Sequence, residues 1–201
     1  MHTSHHRHNA YQQQIFTSAI DFFRQPIPAD IQQRTDLIVA AAELQATDRV
    51  LDVGTGTGTL ISHIQRYGVK SISAVDLCPV MLEEAEQAYP QVHFWCGDVV
   101  DLPASLGSFD VVFLNAMFAN VWNQKETLQF IVSRLTGTGR LVISHPMGAD
   151  FVQDLHRSDP NMVPHTLPNR AEAIELTAGT PLHLSRYQDE SDLYICVLAL
   201  Q

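Results

Sequence analysis

The sequence predicts an α/β fold in which helices cover both faces of a mostly parallel sheet. Three observations lead to this prediction. Short apolar segments alternate with segments of helical period, a glycine-rich loop follows the first apolar segment, and two strand-length segments near the carboxyl end flank a turn. The 201 residues, 45% of them hydrophobic, suffice for one good-sized core. We therefore expect a single domain over residues 30–201.

The predicted elements follow one another along the chain. A helix begins after Asp30, where apolar residues recur at helical spacing. Strands and helices then alternate, and Gly137 and Gly139 are predicted to end the last helix before the fifth strand. The predicted segments are strand 49–53, helix 60–67, strand 71–75, helix 79–88, strands 91–95 and 110–114, helix 128–135 and strand 140–144.

The carboxyl end departs from this alternation. Residues 183–187 and 193–198 have the length and composition of strands, and the turn-forming residues 189–192 separate them. Two strands joined by so short a turn run antiparallel. We therefore predict an antiparallel hairpin at the end of the chain.

Charge and cysteine content narrow the expected partners and location. The formal net charge is -10, from 22 acidic and 12 basic residues, and a surface of this sign repels nucleic-acid phosphates. Cys78, Cys96 and Cys196 occur singly, which is typical of a reducing compartment and predicts a cytoplasmic protein. No segment supplies the roughly 20 consecutive apolar residues of a membrane span, so we expect no membrane insertion.

Residues 1–29 are expected to form an N-terminal extension, either partly disordered or a helical cap. The first eight residues include four histidines, His2, His5, His6 and His8. Chain ends are flexible by default, and no cysteine or carboxylate accompanies these histidines. We therefore predict disorder at the start of the chain and no metal site, and we assign the segment no role.

A glycine-rich loop follows the first predicted strand. Gly54, Gly56 and Gly58 lack the side chains that would hinder a sharp turn and the close approach of a bulky ligand. A dinucleotide-binding loop would place its third glycine at position 59, where this chain has Thr59. The observed spacing therefore favours a nucleoside cofactor that carries no pyrophosphate.

Acidic residues lie at the ends of three predicted strands. Asp52 precedes the loop and fits a cofactor with an amino group and a positively charged sulfur. Asp76 ends the second strand, where a carboxylate can accept hydrogen bonds from two ribose hydroxyls. Asp98 follows the third strand and can accept from an adenine amino group, while the Val99 amide donates to a ring nitrogen. These groups are predicted to line one site.

These segments resemble the class I S-adenosylmethionine-dependent methyltransferases. The matching motifs lie at 50–58, 75–82, 97–98 and 109–112, and the resemblance covers residues 35–201. It implies a Rossmann-like, seven-stranded sheet of order 3-2-1-4-5-7-6 with strand 7 antiparallel, and it implies S-adenosylmethionine as the cofactor. The residues predicted to bind this cofactor are Asp52, Gly54, Thr55, Gly56, Gly58, Asp76, Leu77, Met81, Asp98, Val99 and Asn115.

The methyl acceptor is predicted to lie beyond the ends of strands four and five. Many relatives that methylate amino groups of bases or glutamine carry two prolines after the Asn or Asp that ends strand four, whereas here Asn115 is followed by Ala116 and Met117. This departure and the acidic charge favour a small-molecule acceptor. The residues predicted to contact it are Met117, Phe118, Asn120, Trp122 and His145.

Two histidines are candidate catalytic bases, because a hydroxyl or thiol acceptor has to lose a proton. His145 follows the fifth strand, where its alternative role is to shape a turn with Pro146. His165 lies in a proline-rich insertion, residues 159–168, which can fold over the pocket as a lid. Both are predicted to face the acceptor.

Two other functions share part of this pattern. A non-catalytic regulatory or partner subunit that binds S-adenosylmethionine would keep the same loop and aspartates. An NAD(P)-dependent oxidoreductase would share the sheet, the glycine turn and the ribose aspartate, and the position of Thr59 disfavours it. We predict a methyltransferase that acts as a monomer or homodimer.

Overall fold

The computed structural model describes residues 2–200, and the side chains from residue 4 onward. Three helices precede the sheet: α1 (His2–Ser18), α2 (Ile20–Phe23) and α3 (Ala29–Ala41). The alternating part comprises β1 (Arg49–Val53), α4 (Ile61–Gln65), β2 (Ser71–Asp76), α5 (Pro79–Ala88), β3 (His93–Cys96), β4 (Phe109–Asn115), α6 (Gln124–Arg134) and β5 (Leu135–His145). The chain then forms α7 (Gly148–Ser158), α8 (Arg170–Leu176), β6 (Leu182–Glu190) and β7 (Leu193–Leu200).

The seven strands form one sheet of order β3-β2-β1-β4-β5-β7-β6. The first five strands pair in parallel, and β7 runs antiparallel to both β5 and β6. The predicted strand order and the antiparallel hairpin are therefore confirmed. Because the parallel strands all end at the same edge, the segments that leave β1, β2, β3, β4 and β5 meet there.

Successive residues of the central strands pack into two different apolar cores. In β4, Val111 and Phe113 belong to one cluster, whereas Val112 and Leu114 belong to the other. This is the alternation expected when a strand is buried on both faces. Residues of α3 and α4 complete the first cluster, and residues of α6, α7 and α8 complete the second. The sheet is thus covered by helices on both sides.

The glycines that were predicted to end the helix before β5 lie inside that strand instead. Helix α6 ends at Arg134, and β5 begins with Leu135, which pairs with Phe109 at the start of β4. The register of the pairing between β4 and β5 shifts between Phe109 and Val111. The extra residues of β5 at this irregularity include Gly137 and Gly139, so β5 continues through both glycines. Leu128, Ile131 and Val132 of the predicted apolar stripe lie in α6, whereas Leu135 belongs to β5, so the end of the helix was placed too late.

Candidate functional site

The loop after β1 turns back toward β2. The amides of Gly54 and Thr55 both donate to the carbonyl oxygen of Val75, over 2.8 and 3.1 Å. Gly54 has a φ of 67°, and a Cβ at this position would lie 2.8 Å from the Cβ of Met117. A side chain is thus excluded by both conformation and space. The loop is held tightly between the ends of β1, β2 and β4.

Asp52 lies beneath this loop and is almost wholly buried, with 1% of its surface exposed. One carboxylate oxygen accepts a 2.7 Å hydrogen bond from the hydroxyl of Thr55. Burial, opposed by the Thr55 bond and assisted by the neighbouring charge of Asp76, raises the pKa of Asp52 to about 7. The group therefore changes its charge near neutral pH.

Asp76 joins the end of β2 to the glycine loop. Its two carboxylate oxygens accept hydrogen bonds from the amides of Gly56 and Cys78, each over 2.8 Å. Burial raises the pKa of Asp76, although both of these bonds oppose the rise. Each oxygen of an ionised carboxylate can accept two bonds, so Asp76 retains acceptor capacity for a ligand in the adjoining cavity.

Asp98 follows β3 and caps a short 3₁₀ turn, where one oxygen accepts from the amide of Val100 over 3.2 Å. Its other oxygen contacts helix α1. The Nε2 atom of His5 lies 2.9 Å from this oxygen, and the side-chain amide of Asn9 donates to it over 2.8 Å. This contact with the histidine-rich start of the chain was not predicted from the sequence.

A cavity of about 980 Å³ connects all three aspartates. Every residue predicted to bind the cofactor lines this cavity except Gly58, where a Cβ would lie 2.8 Å from the ring of Tyr89. The cavity continues past Asn115, whose side-chain oxygen accepts from the hydroxyl of Ser144 over 3.0 Å, to the ends of β4 and β5. One continuous space therefore runs from β3 to β5.

Four of the five residues predicted to contact the acceptor line the same cavity, namely Met117, Asn120, Trp122 and His145. The fifth, Phe118, is fully buried in the core cluster of α6, α7 and α8. The turn after β4, in which Ala116 has a φ of 54°, leaves Met117 beside the cavity and Phe118 in the core. Phe118 therefore supports the cavity wall rather than lining it.

His145 is 8% exposed and lies at the end of β5. Its Nδ1 atom accepts from the amide of Met147 over 3.1 Å, which places the neutral ring's proton on Nε2. The ring packs against Phe151 of α7, with centroids 5.4 Å apart. Burial lowers the pKa of His145 to about 4. At neutral pH the ring is an uncharged hydrogen-bond donor, an arrangement that does not favour the predicted role as a base.

His165, the second predicted base, does not line the cavity. Its Nε2 atom lies 3.2 Å from the carbonyl oxygen of Trp122, and its amide donates to the carbonyl of Ala119 over 3.2 Å. His165 therefore holds the insertion 159–168 against the segment that follows β4. Other residues of this insertion, Met162, Val163 and Leu167, do line the cavity.

Helix α1 covers the cavity and bonds to both of its ends. Toward the cofactor side, the side-chain amide of Gln13 donates to the carbonyl of Leu77 over 2.8 Å. Toward the acceptor side, His8 donates to the carbonyl of Asn120 over 2.7 Å and Gln12 donates to that of Met162 over 2.6 Å. Neither core cluster of the described chain contains an α1 residue. Besides these hydrogen bonds, the rings of His5 and His8 pack against Trp122, with centroids 6.0 and 5.7 Å apart.

The described residues contain no group of three or more His, Cys, Asp or Glu side chains placed to hold a metal ion. Over residues 2–200, no helix is both long and apolar enough to cross a membrane. The cavity has carboxylates on one side and apolar groups on the other, a lining that suits an organic ligand.

Known proteins show the same domain in sequence and in fold. A family model described as a methyltransferase domain matches residues 50–139. The crystal structure of magnesium protoporphyrin IX methyltransferase from Synechocystis, solved with bound SAH, superposes with a TM-score of 0.75 at 16% identity, covering 96% of this chain and 100% of that one. The chain therefore contains a match to a methyltransferase domain over somewhat less than half of its length, and it shares the fold of a methyltransferase solved with bound SAH.

Two curated relatives each match a little more than half of this chain. The biotin biosynthesis bifunctional protein BioHC of Cellvibrio japonicus is 32% identical over 118 residues, which are 58% of this chain and 23% of that protein. The demethylmenaquinone methyltransferase of Paenarthrobacter aurescens is 31% identical over 114 residues, which are 55% of this chain and 45% of that protein. The chain thus spans less than half the length of these two relatives.

Proposed function

We propose that this chain transfers a methyl group from S-adenosylmethionine to a small-molecule acceptor. One observation carries the proposal. Asp52, Asp76 and Asp98, at three successive strand ends, line a single cavity beside a glycine-rich loop. The rest of that cavity is lined mainly by apolar side chains at the ends of β4 and β5. The site therefore combines a polar half for a nucleoside and an apolar half for a second molecule.

Each cofactor contact follows from the position of a carboxylate. Asp76 has free acceptor capacity beside the loop and is assigned to the ribose hydroxyls. Asp98 and Val99 are assigned to the adenine ring. Asp52, the most buried of the three aspartates, is assigned to the amino group of the methionine part, since a cation stabilises a buried carboxylate. The loop residues 54–56, with Leu77, Met81 and Asn115, complete this half.

When bound, S-adenosylmethionine supplies a methyl group on a positively charged sulfur, whose bond breaks as the acceptor's electron pair forms a new bond to the methyl carbon. The protein's part is to align the acceptor and to exclude water. Helix α1 and the insertion 159–168 close over the cavity and exclude water. The walls at β4 and β5 align the acceptor.

A small-molecule acceptor is proposed on the basis of charge. The net charge is -10, and the cavity lining includes the acidic residues Asp30 and Glu126 in addition to the three strand-end aspartates. Such a surface repels the phosphates of RNA, although relatives of similar identity include a ribosomal RNA small subunit methyltransferase. The demethylmenaquinone methyltransferases among the relatives act, by their name, on a small molecule.

Thermal unfolding in the presence of candidate cofactors tests the proposal. S-adenosylhomocysteine at about 100 times its Kd should add about 2.7 kcal/mol of stability and raise the melting temperature by several degrees. NAD and NADP should leave it unchanged. A rise with NAD or NADP alone would contradict the proposed cofactor. Mass spectrometry of a metabolite mixture incubated with S-adenosylmethionine would then identify a methylated product, whose absence would favour a non-catalytic binding subunit.

A further inference from the structure

The apolar half of the cavity contains one buried polar side chain with an unused hydrogen-bond donor. The ring of His145 is held on one side by Phe151 and on the other by the Met147 amide that donates to Nδ1. Among the described residues none forms a hydrogen bond with Nε2, whereas every fully enclosed side-chain nitrogen or oxygen has a partner, so Nε2 has accessible surface at the cavity that His145 lines. The Nε2–H group is therefore fixed in place and available to a ligand.

The surroundings of this donor are apolar. Helix α7 contributes Phe151, Val152 and Leu155 to the cavity lining, and the insertion 159–168 contributes Met162, Val163 and Leu167. A polar atom of a ligand in such surroundings costs free energy unless it is paired, and His145 offers a partner at one position. The lining thus selects a molecule that is mostly apolar and carries a hydrogen-bond acceptor.

The charges around the cavity disfavour an anionic acceptor. Arg34 is the only arginine or lysine among the described residues of the lining, and its guanidinium forms ion pairs with Asp30 and Asp192. Five acidic side chains line the same space. A carboxylate or phosphate on the ligand would lose its water without gaining a free cation.

We infer that the methyl acceptor is an uncharged, largely apolar molecule with a carbonyl oxygen that accepts a hydrogen bond from His145 Nε2. This inference rests on the proposed function, since it assigns the acceptor half of the same cavity. A neutral imidazole donates to a carbonyl oxygen without requiring a counter-ion. His145 is then a positioning residue that orients the acceptor, and Phe151 and Met147 fix its orientation.

Three probes of similar shape test the inference with the full chain saturated with S-adenosylhomocysteine. They are 2-acetylnaphthalene, which is neutral and has a carbonyl, 2-naphthoate, which is anionic, and 2-ethylnaphthalene, which has no oxygen. Dissociation constants are measured by fluorescence. The ketone should bind about 10-fold more tightly than 2-naphthoate and about 5-fold more tightly than 2-ethylnaphthalene.

Replacing the His145 donor should remove only the preference for 2-acetylnaphthalene over 2-ethylnaphthalene. In His145→Phe, 2-acetylnaphthalene and 2-ethylnaphthalene should bind equally, while S-adenosylhomocysteine binds as before. His183→Phe is the matched control, because His183 is exposed on β6 and should leave the 5-fold preference intact.

Several results would overturn the inference. They are equal binding of 2-naphthoate and the ketone, a ketone preference that survives in His145→Phe, and failure of all three probes to bind. Each of these results, obtained while S-adenosylhomocysteine still binds, would reject the acceptor class and leave the proposed cofactor intact. Failure of S-adenosylhomocysteine itself to bind would instead reject the proposed function.

Discussion

Two walls of the cavity are built in different ways. The strand-end wall, formed by Asp52, Asp76 and the loop 54–58, is fixed by loop amides that donate to the carbonyl of Val75 and to the carboxylate of Asp76. The cover wall, formed by α1, is attached by side chains to residues 61 to 150 positions away in the chain. The strand-end wall forms whenever the sheet folds. The second can detach while the sheet remains folded, because its helix contributes nothing to either described core cluster.

The largest expected effect comes from removing the carboxylate that joins the loop to β2. Asp76→Ala loses the proposed ribose contacts and the hydrogen bond to Gly56, so S-adenosylhomocysteine should bind about 100-fold more weakly, corresponding to about 2.7 kcal/mol. Isothermal titration calorimetry measures this change.

Asp110→Ala provides the matched control for this prediction. Asp110 also accepts a backbone hydrogen bond, from Arg49 over 2.8 Å, but it lies near the start of β4 and thus at the opposite edge of the sheet. The Asp110→Ala variant should be less stable than wild type and should bind the cofactor with unchanged affinity. Equal losses of affinity in the two variants would mean that Asp76 acts only through folding.

The ionised carboxylate of Asp52 should lower the stability of the free protein and strengthen cofactor binding. Its pKa is raised from about 4 to about 7 by burial, so the folded state holds a proton that the unfolded state releases as the pH rises through this range. The contribution of Asp52 to the stability of the wild-type protein should therefore fall between about pH 4 and pH 7. Asp52→Asn cannot ionise, and it should be more stable than wild type by roughly 1–3 kcal/mol at pH 8 and nearly equal at pH 4.

Urea unfolding at the two pH values measures this difference, and calorimetry should show weaker S-adenosylmethionine binding in the same variant. Asp110→Asn is the control of opposite sign. Burial alone would raise the pKa of Asp110, but its bonds to the Arg49 amide and the Thr136 hydroxyl lower the pKa overall. The Asp110→Asn variant should therefore be less stable than wild type at pH 8. If Asp52→Asn were also less stable there, Asp52 would not carry the inferred ionisation penalty.

Substitutions in the cover helix α1 should affect cofactor affinity less than substitutions in the strand-end wall. His5→Ala combined with Asn9→Ala removes both contacts to one oxygen of Asp98. Each contact contributes about 0.5–1.5 kcal/mol, so hydrogen exchange over residues 2–18 should accelerate by about 5-fold or more. Affinity for S-adenosylhomocysteine should change by less than about threefold, because Asp98 remains in place.

The same helix offers a matched control. His6→Ala combined with Arg7→Ala changes two exposed residues of α1 and should leave its hydrogen exchange near the wild-type rate. Similar exchange in the two double variants would show that contacts with Asp98 do not hold the cover.

The two walls also differ in how far the sequence predicts them. The apolar segments, the glycines of the loop 54–58 and the aspartates at the strand ends are local features of the chain. They predicted a mostly parallel sheet and one side of the cavity, and the family resemblance implied the strand order. Helix α1 has no apolar face, so no periodic pattern indicates where it packs. Its contacts depend on distant partners such as Asn120 and Met162.

Errors at the acceptor end have the same origin. Phe118 and Met117 are neighbours in sequence, and only the turn at Ala116 decides which of them lines the cavity. The helix α7, which supplies Phe151 beside His145, was not predicted. The tautomer of His145 depends on the Met147 amide, a contact that follows from the geometry of the turn after β5. Such details are set by tertiary packing rather than by local pattern.

The most direct test of the central claim is a crystal structure of the chain with S-adenosylhomocysteine. The account predicts the ribose hydroxyls within hydrogen-bond distance of Asp76, the adenine ring beside Val99, and the amino group beside Asp52. A ligand bound outside this cavity, or inside it with the ribose away from Asp76, would contradict the account.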